Sequence, residues 1–246
     1  MKKNKNNIEE QIIFGDLITG IALCFLGALY KENTLEAKGK EKLIVDFTNF
    51  DCFTFVETVL VLARCFINGK IFLRAFERRL KFIRYRQGVI AGYSSRLHYF
   101  TDWLRDNEKK KIVKDISKTI GGKTKCKKIS FMTGHRHLYP ALKSEKEFQK
   151  MLNFERNLSR KVFLIVDKTK TSLQIKKIQN GDIVAFATNV EGLDVSHVGF
   201  ALWQGRNLYL LHASSKEGAV VVSQKTLPAY LKSKKKFTGI IVARPV

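Results

Sequence analysis

One cysteine and two histidines of this chain have the types and surroundings that nucleophilic catalysis requires. Cys52 begins an apolar run, "CFTFVETVLVLA", while His197 and His212 lie in the apolar segments "HVGFALW" and "LYLLHAS". A cysteine thiolate can attack a carbonyl carbon, and a histidine can then give a proton to the departing amine. Together these residues are suited to breaking an amide bond.

The sequence around Cys52 predicts that this residue opens a helix. Asp51 is a favoured N-cap residue, and the free N–H groups and dipole of a helix N-terminus stabilise a negative charge. Such positions lower the pKa of a thiol from about 8.5 to about 3.5–7.5, so we expect usable thiolate at neutral pH. The same N–H groups can donate to a developing oxyanion. Taken alone, a cysteine at this position is more often an inert part of the core.

The two histidine segments are predicted to be neighbouring strands. Gly205 lies in a turn between them, and strands joined by a hairpin are antiparallel neighbours. Residues near the far ends of two such strands face each other, so we expect His197 and His212 to meet across the ladder. One imidazole could then orient the other. Either histidine alone would more often be a satisfied core residue.

The elements that must hold these residues change in character along the chain. The Cys52 helix is apolar on more than one face, which is typical of a buried helix. The other predicted helices are 8–28, 71–86, 99–119 and 144–160, and the predicted strands are 162–166, 182–187, 197–203, 207–214, 219–223 and 238–245. This order predicts one α+β domain over 1–246, with a helical N-terminal half whose Cys52 helix packs on a C-terminal antiparallel sheet.

The composition indicates a globular and strongly basic protein. Its 246 residues are 45% hydrophobic and carry a formal net charge of +23. Such a field attracts polyanions, so nucleic acid, an anionic membrane face and an anionic wall polymer are all possible partners. A coding bias that favours lysine on solvated faces is the alternative explanation. Because no recognisable nucleic-acid-binding motif is present, nucleic acid is the least favoured partner.

Two short motifs and the cysteines could indicate other chemistry. "GGKT" (121–124) imitates the end of a phosphate-binding loop, but Ser117 occupies the place of the first glycine and no apolar strand leads into it. "HRH" (135–137) with Cys126 nearby matches no standard zinc spacing. The four cysteines show no CxxC spacing. We therefore predict no metal and no cofactor.

The N-terminal segment could be mistaken for a targeting signal. "MKKNKN" precedes the apolar stretch "ITGIALCFLGALY" (18–30), but Glu9, Glu10 and Asp16 interrupt the approach. The stretch is also too short to span a bilayer. We interpret 8–28 as a helix of the folded domain. If an export signal has been removed, the protein would act in the cell envelope or periplasm, or be secreted.

Several segments resemble the N-acetylmuramoyl-L-alanine amidase-like proteins, a branch of the NlpC-type papain-like cysteine peptidases. "FDCFTFVE" (50–57) is similar to the nucleophile segment, and "NGDIVAFATNVEGLDVSHVGFALWQGRNLYLLHAS" (180–214) to the later block of the superfamily. "FLGALYKENTLE" (25–36) is similar to the segment that places a tyrosine beside the cysteine, and "GYSSRLHYFTDWLRDN" (92–107) to a branch-specific cleft element. The matches cover roughly 25–245 in the order of the family.

The resemblance implies a papain-like fold and a role for each matched residue. Cys52 would be the nucleophile, His197 the general base and acid, and His212 the residue that orients His197. The residues that would bind substrate are Tyr30 near the oxyanion, Arg96 and His98 in the cleft, and Asp51 and Ser196 beside the nucleophile and the base. Arg96 is suited to a carboxylate of a peptide stem.

The implied activity is hydrolysis of an amide bond in peptidoglycan, through a thioester at Cys52 that water resolves. The bond could be the muramoyl–L-alanine bond or one within the stem peptide, and the basic surface would hold an anionic wall polymer. Phe53 follows the cysteine where a small hydroxylated residue is usual, and Leu29 precedes Tyr30 where proline is common. The alternatives are a same-fold effector or toxin that hydrolyses another amide, and an inactive basic protein that binds the wall or nucleic acid.

Overall fold

The computed structural model describes residues 2–36, 39–70 and 72–246. Its α-helices are α1 (Lys2–Leu23), α2 (Cys52–Ile67), α3 (Leu73–Arg84), α4 (Phe100–Lys109), α5 (Phe131–Gly134), α6 (Glu145–Ser159), α7 (Thr171–Gln174) and α8 (Leu227–Ser233). Its strands are β1 (Leu29–Tyr30), β2 (Asn49–Phe50), β3 (Val113–Asp115), β4 (Lys123–Lys125), β5 (Phe163–Asp167), β6 (Ile183–Thr188), β7 (Val195–Gln204), β8 (Asn207–Ser214), β9 (Ala219–Val222) and β10 (Phe237–Pro245). The mixed α+β class expected from the sequence is confirmed.

The strands form one large sheet in the order β2-β1-β9-β8-β7-β6-β10-β5-β4, and β3 pairs with β10 beside this path. Strands β6 to β9 are joined by successive antiparallel pairings, and β10 returns to pair antiparallel with β6. The short β1–β2 pair is parallel. The antiparallel sheet predicted for the last third of the chain is therefore present, and β7 and β8 lie near its centre.

Helix α2 is buried against one face of this sheet, as its apolar pattern predicts. Phe55, Val59 and Leu60 are fully buried, and the ring of Phe55 meets that of Phe200 on β7 at 5.9 Å between centroids. Each such side chain contributes about 1.5–3 kcal/mol when fully buried. The packing fixes the height of the helix N-terminus above the sheet, which sets the position of Cys52.

The one acidic residue of the "VETVL" segment is also buried in this core. Glu57 pairs with Arg84 at 2.6 Å and accepts a hydrogen bond from Trp103 Nε1 at 3.2 Å. A buried charge is tolerated only when it is paired and hydrogen-bonded, as it is here. These contacts join α2 to α3 and α4.

The opposite face of the sheet is covered by α8, which the sequence interpretation did not predict. Leu227 and Leu231 are fully buried there and pack with Phe186 of β6 in the second apolar cluster. A helix of only two turns has a weak periodic signal. Thr226 before it and Pro228 in its first turn are start signals that could have identified it.

Two predicted helices end earlier than expected. The helix predicted over 99–119 stops at Lys109, because Lys111 has φ of 57° in the left-handed region, and Val113–Asp115 pairs with β10 instead. The helix predicted over 8–28 stops at Leu23, and the chain then turns into the sheet at β1. Of the helices in the described residues, none is both long and apolar enough to cross a membrane.

Candidate active site

Cys52 is the first residue of α2, and Asp51 caps the helix. Asp51 Oδ1 accepts from the N–H groups of Phe53 at 2.9 Å and Thr54 at 2.8 Å, and Thr54 Oγ1 accepts from Asp51 N at 3.0 Å. This reciprocal capping box confirms the predicted helix start. The other oxygen of Asp51 accepts from Thr34 Oγ1 at 2.7 Å. The carboxylate of Asp51 is therefore engaged by the protein itself.

The two histidines meet as the hairpin predicts. Nε2 of His197 lies 2.7 Å from Nδ1 of His212, and the two rings are nearly perpendicular, at 85°. The strands pair antiparallel from Phe200 with Leu211 to the turn, and the same register continued places His212 opposite Gly199. His212 thus reaches diagonally across the ladder to His197. If His197 Nε2 carries the proton of this hydrogen bond, Nδ1 is left with a lone pair for a base.

Gly199 makes room for this diagonal contact. A Cβ at Gly199 would lie 2.8 Å from the Cβ of His212 and 2.8 Å from the carbonyl oxygen of Leu211. Carbon atoms do not approach this closely, so any larger residue would force His212 or the strand to move. The glycine of "HVGF" is thus required by the histidine pair.

The histidine rings and α2 lie on opposite faces of the sheet. His197 packs near Phe186 at 5.8 Å and His212 near Tyr230 of α8 at 5.4 Å between ring centroids. Val198, the next residue of β7, belongs to the cluster that packs on α2. Cys52 must therefore reach the histidines around or through the sheet.

The end of the β7–β8 ladder provides that route. Successive N–H groups of a strand point to alternate sides. Ala201 N–H bonds to the carbonyl of Asp182 on the β6 side, so the N–H of Val198, three residues earlier, points to the β8 side. Pairing with β8 begins only at Phe200, so the Val198 N–H makes no hydrogen bond in the ladder. It donates instead to the sulfur of Cys52, which favours the thiolate. The thiol therefore lies beside the backbone of the residue that follows His197.

These groups open into one cleft of about 600 Å³. Its lining residues include Tyr30, Cys52, Ser196, His197 and His212. The structure thus brings together the predicted nucleophile, both histidines and two of the predicted substrate-binding residues. Such a concave site with converging polar groups is typical of an active site.

The resting protonation state differs from the one expected at a helix terminus. Burial, and then the charge of Asp51, raise the pKa of Cys52 to about 12, although the Val198 amide and Lys236 act in the opposite direction. Burial first, and then His212, Lys236 and Lys234, hold the pKa of His197 well below 6.5. The expected thiolate is therefore wrong for the free protein, because desolvation outweighs the helix terminus. The resting pair is a neutral thiol and a neutral imidazole.

This state predicts slow alkylation of Cys52 at neutral pH. Because the thiolate is the reactive form, the rate with iodoacetamide should keep rising through pH 10 and should stay below that of the exposed Cys24 and Cys126 at pH 7. Peptide mass spectrometry after timed labelling gives all three rates in one sample. A Cys52 rate that exceeds the two controls and levels off below pH 8 would instead show a preformed thiolate–imidazolium pair.

Tyr30 and Ser196 both line the cleft that contains Cys52. Tyr30 ends β1, and burial, followed by the charges of Cys52, Glu32 and Asp51, raises its pKa to about 12, so its hydroxyl stays a donor. Ser196 is the extra residue of a bulge in β7, where the register against β6 shifts. Its hydroxyl is buried and finds no hydrogen-bond partner among the described residues.

Arg96 and His98 lie in a second, smaller cleft of about 180 Å³, which also contains Asp51 and Phe53. Arg96 is 4% exposed and pairs with Glu36 at 2.6 Å. Nε2 of His98 bonds to the carbonyl of Tyr93 at 2.9 Å, and burial holds the pKa of His98 well below 6.5. The structure therefore separates these two residues from the Cys52 cleft, and their predicted roles stay predictions.

Phe53 lines the smaller cleft and not the cleft of Cys52. Its ring packs edge-on against Trp103 at 5.6 Å and Phe100 at 6.4 Å between centroids. The side chain after the nucleophile is thus held by an aromatic cluster and not by the substrate cleft of Cys52. Sequence reasoning could not show this, because Trp103 and Phe100 belong to another helix.

Within the part of the chain that the structure describes, no group of three or more His, Cys, Asp or Glu side chains is placed to hold a metal ion. His135 and His137 lie with ring centroids 6.3 Å apart, outside both clefts. Lys123 and Thr124 of the "GGKT" motif lie in β4, in an exposed part of the sheet.

Comparison with known proteins identifies a family and several similar solved structures. Residues 20–240 match the AmiA-like family, which is described as N-acetylmuramoyl-L-alanine amidase-like. An N-acetylmuramoyl-L-alanine amidase from Bacteroides uniformis is 37% identical, with a TM-score of 0.90 over 95% of this chain and 99% of that one. A Bacteroides fragilis protein provisionally named a xylanase is 40% identical, with a TM-score of 0.87 over 92% and 99% of the two chains.

A Legionella pneumophila protein shares the fold at 24% identity, with a TM-score of 0.71 over 95% of this chain and 89% of that one. None of the curated proteins matches the chain.

Proposed function

The chain belongs to the AmiA-like family of N-acetylmuramoyl-L-alanine amidase-like proteins, and from this premise we propose that it hydrolyses an amide bond of peptidoglycan with Cys52 as nucleophile. The observation that carries the proposal is the hydrogen bond of 2.7 Å between His197 and His212 in the cleft that also contains Cys52. A nucleophile, a base and a group that orients the base are the parts that covalent amide hydrolysis needs.

In the first half-reaction the sulfur of Cys52 attacks the carbonyl carbon while its proton passes to Nδ1 of His197. Because both groups are neutral at rest, attack and proton transfer occur together. The C–N bond then breaks, and His197 returns the proton to the departing amine. The product of this step is a thioester on Cys52.

In the second half-reaction water hydrolyses the thioester. His197 takes a proton from the water as its oxygen attacks, and returns one to the sulfur as the C–S bond breaks. His212 holds the ring of His197 in place through both steps and supports the positive charge that forms on it. The pKa of His212, lowered to about 4 mainly by burial, keeps it a neutral partner at neutral pH.

Two groups are placed to stabilise the oxyanion of the tetrahedral intermediates. The N–H of Cys52 is the first of α2 and precedes the two N–H groups that Asp51 caps. The N–H groups and the dipole of a helix N-terminus favour negative charge. The Tyr30 hydroxyl borders the same cleft and remains protonated across the working pH range. Ser196, with its free hydroxyl, is proposed to bind the substrate next to the base.

We extend the proposal to the finer classification. The helix with its N-terminal cysteine packed on a sheet that carries the histidines is consistent with a single papain-like domain of the NlpC type. The bond cleaved is proposed to be the one between the muramoyl group and L-alanine, since that is the activity in the family description. Because its proposed substrate is peptidoglycan, we propose that the protein acts in the cell envelope or periplasm, or is secreted.

Product analysis tests this function directly. Purified peptidoglycan incubated with the protein should release peptides with a new L-alanine amino terminus, and glycan whose lactyl group ends in a free carboxylate. Mass spectrometry and amino-terminal labelling identify both. Release of a different amine would point to a stem-peptide bond or to a same-fold effector, and new reducing sugar ends without new amines would contradict the proposed chemistry.

Gly199→Ala is expected to weaken both stability and catalysis. The added Cβ collides with His212 and the Leu211 carbonyl, so strain should cost about 1–3 kcal/mol of unfolding free energy and kcat should fall about 10²-fold as the imidazole pair shifts. Denaturant unfolding and the amidase assay give the two values. In Gly20→Ala, the matched control, the Cβ meets nothing within 4 Å in helix α1, and this variant should be slightly more stable and fully active. Equal activity of both variants would contradict the role given to Gly199.

A further inference from the structure

The Cys52 cleft carries carboxylates on one wall and lysines on the other, although Lys216 lies beside Glu217 and Lys225 also lines the cleft. Tyr30 and Gly218 are joined by a backbone hydrogen bond of 2.8 Å, and the acidic cleft residues Glu32 and Glu217 lie beside them. On the other wall, the cleft is lined by Tyr230, Lys234, Lys236 and Phe237.

The backbone of this second wall is fixed. The carbonyl of Lys236 accepts from Asn189 N at 3.0 Å and Thr188 Oγ1 at 3.1 Å. The carbonyl of Lys234 accepts from Lys168 Nζ at 2.8 Å and Phe237 N at 3.2 Å. The segment between α8 and β10 is thereby tied to the end of β6 and to the residue after β5. Hydrogen bonds therefore hold the backbone that carries the side chains of Lys234 and Lys236.

The two ammonium groups have no acidic partner in the described residues. Lys216 pairs with Glu217 at 3.5 Å on the other wall, but no carboxylate of the described chain lies within ion-pair distance of Lys234 or Lys236. Lys234 Nζ is 5.7 Å from the ring centroid of Tyr230, and Lys236 Nζ is 5.9 Å from that of Phe237. Lys234 is half-buried and Lys236 is exposed, and two uncompensated positive charges in one concave cleft concentrate the field there.

This charge is close to the reacting groups. The ring of Tyr230, over which Lys234 lies, is 5.4 Å from His212 and 6.3 Å from His197. The charges of Lys236 and Lys234 also contribute to the low pKa of His197, after burial and His212. An anion bound by these lysines would lie about one side chain away from the scissile bond.

We propose that Lys234 and Lys236 form a binding site for a carboxylate of the substrate, on the α8 side of the cleft. The inference rests on the proposed function, because the peptide stem of peptidoglycan is the part of that polymer with free carboxylates near the bond to be cut. Charge-assisted hydrogen bonds from two ammonium groups fix such a carboxylate, and Glu32 on the opposite wall disfavours the reverse orientation. The site selects stems whose carboxylates are free over stems whose carboxylates are amidated.

The test uses binding as well as turnover. Cys52→Ala protein is titrated by calorimetry with an N-acetylmuramoyl peptide whose carboxylates are free and with the same peptide amidated. The free acid should bind about tenfold more tightly, and this difference should disappear in a protein that also carries Lys234→Gln and Lys236→Gln. High salt should remove it as well, because the site is open to solvent.

The matched control replaces Lys232 and Lys235, which belong to the same basic run but do not line the cleft. Lys232→Gln with Lys235→Gln should leave the preference for the free acid intact. In active protein, Lys234→Gln with Lys236→Gln should raise KM for the free acid about tenfold with little change in kcat.

Equal affinity for the two peptides, no binding of either, or an equal effect of the control pair would each overturn the proposed site. If the free acid is preferred through Lys234 and Lys236 but peptidoglycan is not cleaved by the wild-type protein, the proposed function fails while the carboxylate site stands.

Discussion

Cys52→Ala should abolish the release of L-alanine amino termini from peptidoglycan, with kcat reduced by at least about 10⁴-fold. The reason is that every covalent step passes through the sulfur, and no other cysteine lines the cleft among the described residues. Removing one sulfur from a half-buried position leaves the capping box of Asp51 and Thr54 intact. The midpoint of thermal unfolding should therefore change by only a few degrees.

The matched control for this experiment is Cys126→Ala, which removes an exposed thiol outside the cleft and should leave both activity and stability unchanged. Activity is measured as amines released per unit time, and stability by thermal unfolding of the same samples. If Cys52→Ala protein is folded and still releases amines at a comparable rate, the nucleophile has been assigned to the wrong residue.

His197→Gln is expected to lower kcat by about 10³–10⁴-fold, since general acid and base catalysis contributes about 10²–10⁴ and the base acts in both half-reactions. The effect comes from proton transfer, because glutamine can still donate a hydrogen bond to Nδ1 of His212 but cannot take the proton of the thiol. KM should change little, because His197 supports the transition state more than the bound substrate.

A second measurement separates this explanation from simple disruption of the cleft. A nitrophenyl thioester has a leaving group that needs no protonation, so the initial release of nitrothiophenolate, which reports acylation of Cys52, should fall less in His197→Gln protein than cleavage of the amide substrate does. His135→Gln, at a histidine outside both clefts, is the control and should behave as wild type. The same loss on both substrates would show that His197 does not act by delivering protons to the amine.

The core of the site could be predicted from the sequence because it is built from regular elements. Strands β7 and β8 are joined by a single turn at Gly205, so the hairpin places them side by side, and His212, opposite Gly199 in the continued register, contacts His197 diagonally. The buried character of α2 and its start at Cys52 follow from its apolar faces and its N-cap. Where local rules decide the structure, the prediction held.

Contacts between distant segments could not be predicted. The carboxylate that pairs with Arg96 belongs to Glu36, 60 residues away in an irregular segment, and no periodic pattern links the two. The raised pKa of Cys52 depends on how many groups surround the sulfur, whereas the sequence shows only the helix terminus. The role of Lys234 and Lys236 could not be predicted for a similar reason, since only the tertiary fold shows that they line the cleft while Lys232 and Lys235 do not.

The burial of α2 against β7 affects how the protein folds during its synthesis. During synthesis the nucleophile helix leaves the ribosome long before the strands that carry His197 and His212, which belong to the last third of the chain. Until then a helix apolar on every side has no sheet to cover it, and is exposed to aggregation or to chaperones. The thiol also has no base beside it. A nascent or truncated chain therefore lacks the assembled site, and hydrolytic activity arises only when folding is nearly complete.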